Sequence, residues 1–256
     1  VLGMDEMILR EADDADILNY ASNIQSSGKM LLSLINDVLD MSKIEAGKME
    51  IVPVEYDLSS VVNDLVNMTS KRAEDKGLYL NIVVDKNMPH LLFGDEIRIK
   101  QIITNILTNA VKYTEHGSVT LTVNGTRLSE DKIKIFFSVK DTGIGMSKEF
   151  QKHVFEPFER ERTSTVSGIQ GTGLGMAITK SIIDLMGGEI RVSTNSGAGT
   201  EFIITVSFKV QETLKTQTSG ADSEKNNESH EEPAEEEQKN ELDFSKMRVL
   251  LVDDMN

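Results

Sequence analysis

The sequence predicts an α+β protein in which a helical hairpin precedes a sandwich of one β-sheet covered by helices. Two observations support this fold class. The segment from Val1 to Ile44 contains no proline and carries a seven-residue apolar repeat, which is typical of helices that pack in a bundle. Residues 47–210 instead combine helical apolar periodicity with alternating strand patterns, as in a sheet covered by helices.

The predicted hairpin occupies residues 1–46. Ile17, Ile24, Leu31 and Val38 recur every seven residues and form a narrow apolar stripe over about four heptads. An Asp-rich break at residues 13–16 separates this long helix from the end of a helix before it. Such a stripe needs partner helices to bury it. The partner is either another part of the same chain or, as we prefer, a second copy in a homodimeric four-helix bundle.

Residues 47–210 contain the elements of the predicted sandwich. Apolar periodicity predicts helices around Val61–Val66, over Ile97–Tyr113 and over Leu174–Met186. The last of these should end at the glycine pair that follows it. Short alternating or apolar runs predict strands at Leu78–Val84, Ser118–Val123, Ile133–Val139, Ile190–Thr194 and Phe202–Phe208.

Two further segments follow the sandwich. Residues 211–246 hold eleven acidic and four basic residues and almost nothing apolar, which is typical of a disordered linker. A polar amphipathic helix is the alternative. Residues 247–256 begin a buried strand that ends in Asp253 and Asp254.

Composition limits the function and the location of the protein. A formal net charge of −15 argues against nucleic acid or an anionic membrane surface as a main partner. The absence of cysteine excludes disulfides and thiolate metal sites and fits a reducing cytoplasm. No apolar stretch reaches the ~18 residues of a membrane span. We interpret both ends as truncations and expect a cytoplasmic protein, attached to a membrane only through segments before Val1.

The helix predicted between Asp95 and Thr114 has an unusual polar face. At about 100° per residue, one stripe holds Arg98, Gln101, Asn105, Asn109 and Lys112. The opposite, apolar face should pack onto the sheet. Amide oxygens can bind Mg²⁺, and a nearby ammonium group can bind phosphate. The alternative is a polar surface that happens to contain asparagine.

Two glycine-rich motifs suggest a bound nucleotide. Asp141-Thr-Gly-Ile-Gly145 follows a predicted strand; its glycines allow a sharp turn, and its carboxylate can accept a hydrogen bond from an adenine amine. Gly171-Thr-Gly-Leu-Gly175 opens a helix, whose first N–H groups can bind phosphate. It is neither a P-loop, since no Gly-Lys-Ser/Thr follows, nor a convincing Rossmann turn, since no buried strand precedes it. Between the motifs, Phe155-Glu-Pro-Phe158 and the polar residues 159–170 suit a mobile lid.

In this order, the asparagine helix, the glycine motifs and Phe155-x-x-Phe158 resemble the nucleotide-binding boxes of sensor histidine kinases. Residues 37–48 resemble the hinge between dimerisation helices and catalytic domain in hybrid members of that family. Residues 249–254 resemble the first strand of a receiver domain. The resemblance covers nearly all of the chain except the acidic linker. It implies a truncated dimerisation hairpin (1–46), an ATP-binding domain of the histidine kinase/gyrase type (47–210), a linker (211–246) and the first strand of a truncated receiver (247–256).

The resemblance also implies a site for ATP and Mg²⁺. Asp141 would bind the adenine amine with help from Thr200, and Arg160 would contact phosphate from the lid. The implied ATP-binding residues are Asn105, Asn109, Lys112, Tyr113, Asp141, Gly143, Gly145, Arg160, Gly171, Gly173, Leu174, Gly175 and Thr200. The implied Mg²⁺ ligands are Asn109 and Asn105, with Asp253 and Asp254 in an intact receiver only. Core packing is the alternative role for Tyr113 and Thr200.

The implied activity is that of an ATP-dependent protein-histidine kinase in a two-component phosphorelay. It would transfer the γ-phosphate to a histidine on the dimerisation helix, for relay to an aspartate of a receiver domain in cis, a response regulator or a phosphotransfer protein. No histidine lies in the hairpin, so we expect the acceptor in a segment before Leu2.

Two other functions compete with the kinase. An ATP hydrolase of the gyrase or mismatch-repair type would have a general-base glutamate one helical turn before the Mg²⁺ asparagine. Here Asn105 occupies that position, and an amide cannot deprotonate water. A regulator that only binds nucleotide is the third possibility, although no motif is visibly broken.

Overall fold

The computed structural model describes residues 1–161 and 171–210 and the backbone of residues 247–252. The predicted linker, most of the predicted lid, and Asp253 and Asp254 lie outside the described residues. Within the described ranges, no helix is both long enough and apolar enough to cross a membrane.

The two helices of the predicted hairpin are present as α1 (Leu2–Glu11) and α2 (Ala15–Glu45). The predicted break lies between them, where the Asp14 carboxylate caps α2 by accepting hydrogen bonds from the backbone N–H groups of Asp16 (2.9 Å) and Ile17 (3.1 Å). The helices pack closely at Gly28, because a Cβ there would lie 2.6 Å from the Leu2 side chain. The hairpin is therefore confirmed as a structural element.

The apolar stripe of α2 stays exposed in the single chain. Ile17, Ile24, Leu31 and Val38 are 46%, 47%, 58% and 52% exposed. No segment that the structure describes buries this stripe, which disfavours an intramolecular bundle among these residues. The homodimer remains a prediction.

The sandwich contains four helices and eight strands in the described part of the chain. The helices are α3 (Leu58–Asp75), α4 (Glu96–Tyr113), α5 (Lys148–Gln151) and α6 (Gly175–Leu185). The strands are β1 (Val54–Asp57), β2 (Tyr79–Asp85), β3 (Leu91–Gly94), β4 (Ser118–Ser129), β5 (Lys132–Asp141), β6 (Glu189–Asn195), β7 (Gly199–Lys209) and β8 (Met247–Val252).

All strands belong to one mixed sheet. Its order is β1-β3-β7-β5-β4-β2-β8, and β6 also pairs with β7. The pairs β2–β4 and β2–β8 are parallel, whereas the central strands β4, β5 and β7 pair antiparallel. The strand predicted near the C-terminus is thus present as β8, at the edge of this sheet. Its assignment to a receiver domain stays a prediction.

The core lies between the sheet and the helices. Alternate residues of β5 and β7 are buried, which shows that one face of the sheet is covered. Ile99, Ile103 and Ile106 of α4 pack into this core and are almost completely buried. Burial of each such side chain stabilises the fold by roughly 1.5–3 kcal/mol. The predicted apolar face of the asparagine helix is confirmed, and the opposite face is free to build a site.

Candidate functional site

Both ends of α4 are tied to other parts of the sandwich. At its start, the buried Asp95 carboxylate accepts hydrogen bonds from the backbone N–H groups of Arg98 (3.0 Å) and Val52 (2.8 Å). At its end, the Lys76 ammonium group donates to the carbonyls of Val111 (2.8 Å), Lys112 (2.9 Å) and Thr114 (3.2 Å). A cation is favourable at the negative end of a helix dipole. The helix is therefore a fixed platform for its polar side chains.

The polar stripe of α4 divides into two halves with different contacts. Near the start of the helix, the Gln101 amide donates to the Asp40 carboxylate of α2 (2.8 Å), and Arg98 donates to the Gln101 amide oxygen (2.7 Å). Near its end, Asn105, Asn109 and Lys112 line a cavity. The first half of the predicted stripe thus contacts the hairpin, and only the second half belongs to the site.

This cavity has a volume of about 880 Å³. It lies between α4, the two glycine motifs and the residues before α6. Its volume suits a small organic ligand. The structure brings almost all of the predicted ATP-binding residues together here. Those that line the cavity are Asn105, Asn109, Lys112, Tyr113, Asp141, Gly145, Arg160, Gly171, Gly173, Gly175 and Thr200.

Gly143 and Leu174 are predicted ATP-binding residues that do not line this cavity. Gly143 supports the site indirectly, because its backbone N–H donates to Asp141 Oδ1 (2.8 Å). Leu174 is buried in the hydrophobic core, and its backbone N–H donates to the Thr172 hydroxyl (3.0 Å). A contact between these two residues and a ligand stays a prediction.

One end of the cavity contains a fixed carboxylate. Asp141 ends β5 and is only 7% exposed. Its Oδ1 accepts hydrogen bonds from the backbone N–H groups of Gly143 (2.8 Å) and Thr200 (3.2 Å), which leaves Oδ2 as the acceptor for a ligand. Burial raises the pKa of Asp141, and the two backbone donors partly oppose that rise.

An apolar wall adjoins this carboxylate. Ile144, Met146, Val154 and Phe202 line the same cavity. The Phe202 ring is braced by Phe155 in an edge contact, with ring centroids 6.4 Å apart. A flat apolar ring with an amine on its edge, such as a purine, fits this combination of apolar walls and a single acceptor.

The glycine motifs are shaped by backbone requirements. Gly145 has φ +66°, and a Cβ there would lie 2.1 Å from the carbonyl oxygen of Asn195. Gly173 has φ +74°, and a Cβ there would lie 2.9 Å from the backbone of Phe158. Only glycine satisfies both the left-handed conformation and the close approach. Phe158 donates its backbone N–H to the Gly173 carbonyl (3.0 Å) and itself has φ +66°, so the Phe155-x-x-Phe158 segment is held against the second motif.

The other end of the cavity is cationic. The Lys112 ammonium lies 5.0 Å from the centre of the Tyr113 ring and close to Gly171, where a Cβ would be 2.8 Å from Nζ. Burial, followed by the charge of Arg160, lowers the pKa of Lys112. Two cations that line the same cavity favour an anionic ligand, and the N-terminus of α6 adds to the attraction.

Two amide side chains lie between the cationic end and α6. Asn105 Nδ2 donates to the Thr179 hydroxyl (2.9 Å), and Asn109 Nδ2 lies 3.5 Å from Met176 Sδ. The nitrogens are therefore engaged by α6, and Asn105 Oδ1 lies next to Gly175. Amide oxygens are suitable ligands for Mg²⁺, which commonly takes few protein ligands when phosphate oxygens complete its shell. No cluster of three or more His, Cys, Asp or Glu suited to a metal occurs among the described residues.

Several residues of the site were not predicted from the sequence. Ser33 and Asp37 line the cavity from α2, and Arg72, Asp75 and Lys76 line it from the end of α3. The Thr172 hydroxyl donates to Asp37 Oδ2 (3.1 Å) across 135 residues of sequence. Burial, and to a smaller extent the charge of Asp40, raises the pKa of Asp37, while the bond from Thr172 lowers it. No local sequence pattern predicts contacts between residues so far apart in the chain.

Comparison with known proteins shows which families this chain resembles. Residues 94–210 match the family described as Histidine kinase-, DNA gyrase B-, and HSP90-like ATPase. The chain is 37% identical over 206 residues to "Hybrid signal transduction histidine kinase B" of Dictyostelium discoideum, with 80% of this chain and 10% of that protein covered. It is 34% identical over 202 residues to "Signal transduction histidine-protein kinase BarA" of Escherichia coli (strain K12), with 79% and 22% covered.

A solved structure gives the same relationship. The crystal structure of full-length ShkA in complex with AMPPNP is 32% identical, with a TM-score of 0.66 over 82% of this chain and 43% of that one. The chain thus spans only a part of each of these relatives, from 10% to 43% of their length.

Proposed function

We propose that this chain belongs to the sensor histidine kinases and is the catalytic core of such a kinase. It binds ATP with Mg²⁺ in the cavity between α4 and α6. The observation that carries the proposal is the polarity of the cavity. A buried acceptor, Asp141, lies at one end and two cations, Lys112 and Arg160, lie at the other. A nucleoside triphosphate has the matching arrangement of a base amine and a charged tail.

At the base end, the chain's own residues select adenine. Asp141 Oδ2 accepts the hydrogen bond of the exocyclic amine, while Oδ1 stays bonded to Gly143 and Thr200. Guanine presents a carbonyl at the corresponding position, which would repel the carboxylate. The apolar wall that includes Ile144 and Phe202 excludes water from the ring faces.

At the phosphate end, charge neutralisation and positioning replace covalent help from the protein. Lys112 and Arg160 attract the phosphates, and the N–H groups at the start of α6 bind their oxygens. The amide oxygens of Asn105 and Asn109 would hold Mg²⁺, which when bound neutralises charge on the phosphate oxygens. Because Asn105 cannot deprotonate water, the site favours transfer to a protein acceptor over hydrolysis.

The acceptor and the partners belong to the whole protein. No histidine occurs in residues 1–46, and His90 and His116 are exposed residues of the sandwich. We propose that the acceptor histidine lies on a dimerisation helix, that the exposed stripe of α2 forms the homodimer, and that phosphate passes to a receiver aspartate. The exposure of this stripe and the likeness to hybrid kinases support these steps.

The Asp141→Asn variant tests the site. Asparagine keeps an oxygen for Gly143 and Thr200 but loses the charge that strengthens the bond to adenine. Loss of a charged hydrogen bond costs roughly 1.5–3 kcal/mol, so we expect ATP affinity, measured by titration calorimetry, to fall by about 10- to 150-fold.

The matched control is Asp184→Asn, which removes an exposed carboxylate that pairs with Lys180 on α6. It should bind ATP as the parent does. Unchanged ATP affinity of Asp141→Asn would show that the adenine site is assigned wrongly.

A further inference from the structure

The face of α6 that meets α4 is built around the two asparagines. Gly175 allows close approach, because a Cβ there would lie 2.6 Å from Asn105 Oδ1. Thr179 lies one helical turn later, is 2% exposed, and accepts the hydrogen bond from Asn105 Nδ2 (2.9 Å). The Asn105 amide is therefore held at two points of one helix face, with its oxygen toward the first residue of α6 and its nitrogen toward Thr179.

Met176 determines which way the amide groups of Asn105 and Asn109 are turned. Its thioether sulfur lies 3.5 Å from Asn109 Nδ2 and 3.7 Å from Asn105 Nδ2. A hydroxyl can accept from an amide nitrogen or donate to an amide oxygen, so Thr179 alone would tolerate either orientation of Asn105. A thioether sulfur can only accept. An amide that turned its oxygen toward Met176 would lose a hydrogen bond and gain a repulsion.

We propose that Met176 and Thr179 are positioning residues for the divalent cation, because they keep the amide oxygens of Asn105 and Asn109 turned toward the phosphate end of the cavity. This inference rests on the proposed function. The two orientations of an amide are almost the same in shape but opposite in polarity, so a reversed amide presents N–H groups to the cation. Without the Thr179 hydroxyl, the Asn105 side chain would leave this place for part of the time, and without the Met176 sulfur, each amide would divide between the two orientations. In both cases only the fraction that is in place with its oxygen inward binds metal.

A purely structural role for the two residues predicts a different result. Thr179 is buried, and a buried hydroxyl needs a partner whether or not a metal binds. If Met176 and Thr179 served only packing, their replacement would weaken nucleotide binding equally with and without Mg²⁺. If they orient the amides, only the metal-dependent part of the affinity changes.

The test measures ATP affinity by calorimetry in excess Mg²⁺ and again in EDTA. The variants are Thr179→Val, which keeps the shape but removes the acceptor, and Met176→Leu, which removes the sulfur. In Mg²⁺, each variant should bind ATP about three- to tenfold more weakly, the scale of one net hydrogen bond. In EDTA, each should match the parent, and Thr179→Ser should behave as the parent in both conditions.

Ser181→Ala is the matched control, because that hydroxyl lies on the same helix but donates to the Ala177 carbonyl (3.0 Å). It should not change the Mg²⁺-dependent affinity. Electron paramagnetic resonance of Mn²⁺ with a non-hydrolysable ATP analogue gives a second readout, in which Thr179→Val should release Mn²⁺ at lower concentrations of competing chelator than the parent. If thermal unfolding shows that Thr179→Val is not folded, Met176→Leu carries the test.

The results separate this inference from the proposed function. A parent chain that does not bind Mg²⁺–ATP overturns both. A parent that binds it, with variants that bind equally well in Mg²⁺ or lose the same factor in Mg²⁺ and EDTA, overturns only the positioning role. Failure of Thr179→Ser to restore binding does the same.

Discussion

The hairpin and the sandwich place similar apolar helices in opposite environments. In α4, Ile99, Ile103 and Ile106 are at most 1% exposed, because the sheet of the same chain covers them. In α2, the stripe that includes Leu31 and Val38 is about half exposed. The same kind of periodicity therefore gives an intramolecular core in one region and an unpartnered surface in the other. The sandwich buries its apolar helix face within one chain, whereas the stripe of α2 would be buried only in the proposed homodimer.

The junction between the two regions combines apolar and polar contacts, and Met41 and Ile44 of α2 pack against the core of the sandwich. Asp40 accepts from Gln101 (2.8 Å), and Asp37 accepts from Thr172 (3.1 Å). Polar groups of this kind regain hydrogen bonds from water when they separate, so these two contacts add little resistance to relative motion. The hydrogen bond from Thr172 to Asp37 joins the hinge end of α2 to the glycine motif at the phosphate end of the cavity.

The largest expected effect is a loss of stability when the buried apolar face of α4, but not the exposed stripe of α2, is truncated. Ile103→Ala creates a cavity in a fully buried site and should lower the free energy of unfolding of the sandwich by about 2–5 kcal/mol. Leu31→Ala, studied by urea denaturation at concentrations where the chain is monomeric, should change it by less than ~0.5 kcal/mol. Comparable losses in the two variants would mean that the stripe of α2 is buried within the single chain.

A smaller effect is expected when a charge enters the stripe. Leu31→Glu would bury an unpaired carboxylate in the proposed dimer and should raise the dissociation constant on the order of 100-fold, or ~2.7 kcal/mol. Sedimentation should show a dimer for the parent and a shift toward monomer for the variant. Asn36→Glu is the control, because the exposed Asn36 lies on the helix face away from the stripe. A parent that remains monomeric at high concentration would contradict the seam in these residues.

Long periodic segments could be predicted from the sequence, and short or long-range features could not. The asparagine helix is predicted at Ile97–Tyr113 and found at Glu96–Tyr113, because its apolar period extends over many turns. Strands β1 and β3 were not predicted, since four residues are too few to show alternation. Within the site, the motifs indicate Asn109 and Asp141, but the contribution of Asp37 depends on a contact with Thr172 that only the tertiary fold creates.

The smallest expected effect concerns Asp141, a buried carboxylate of the site whose Oδ1 accepts hydrogen bonds from two backbone N–H groups. Burial raises the pKa of Asp141, so the native state binds that proton more tightly than the unfolded chain does. Its contribution to stability is therefore present below the ordinary carboxyl pKa and is lost as the pH rises through the raised native pKa. At neutral pH and without nucleotide, Asp141→Asn should unfold at a slightly higher temperature than the parent, although it binds ATP more weakly. The difference in unfolding temperature should shrink as the pH falls through the raised pKa, because the parent then also carries a neutral group at position 141. A difference of the same size in acid and at neutral pH would show that the charge of Asp141 is not its cause.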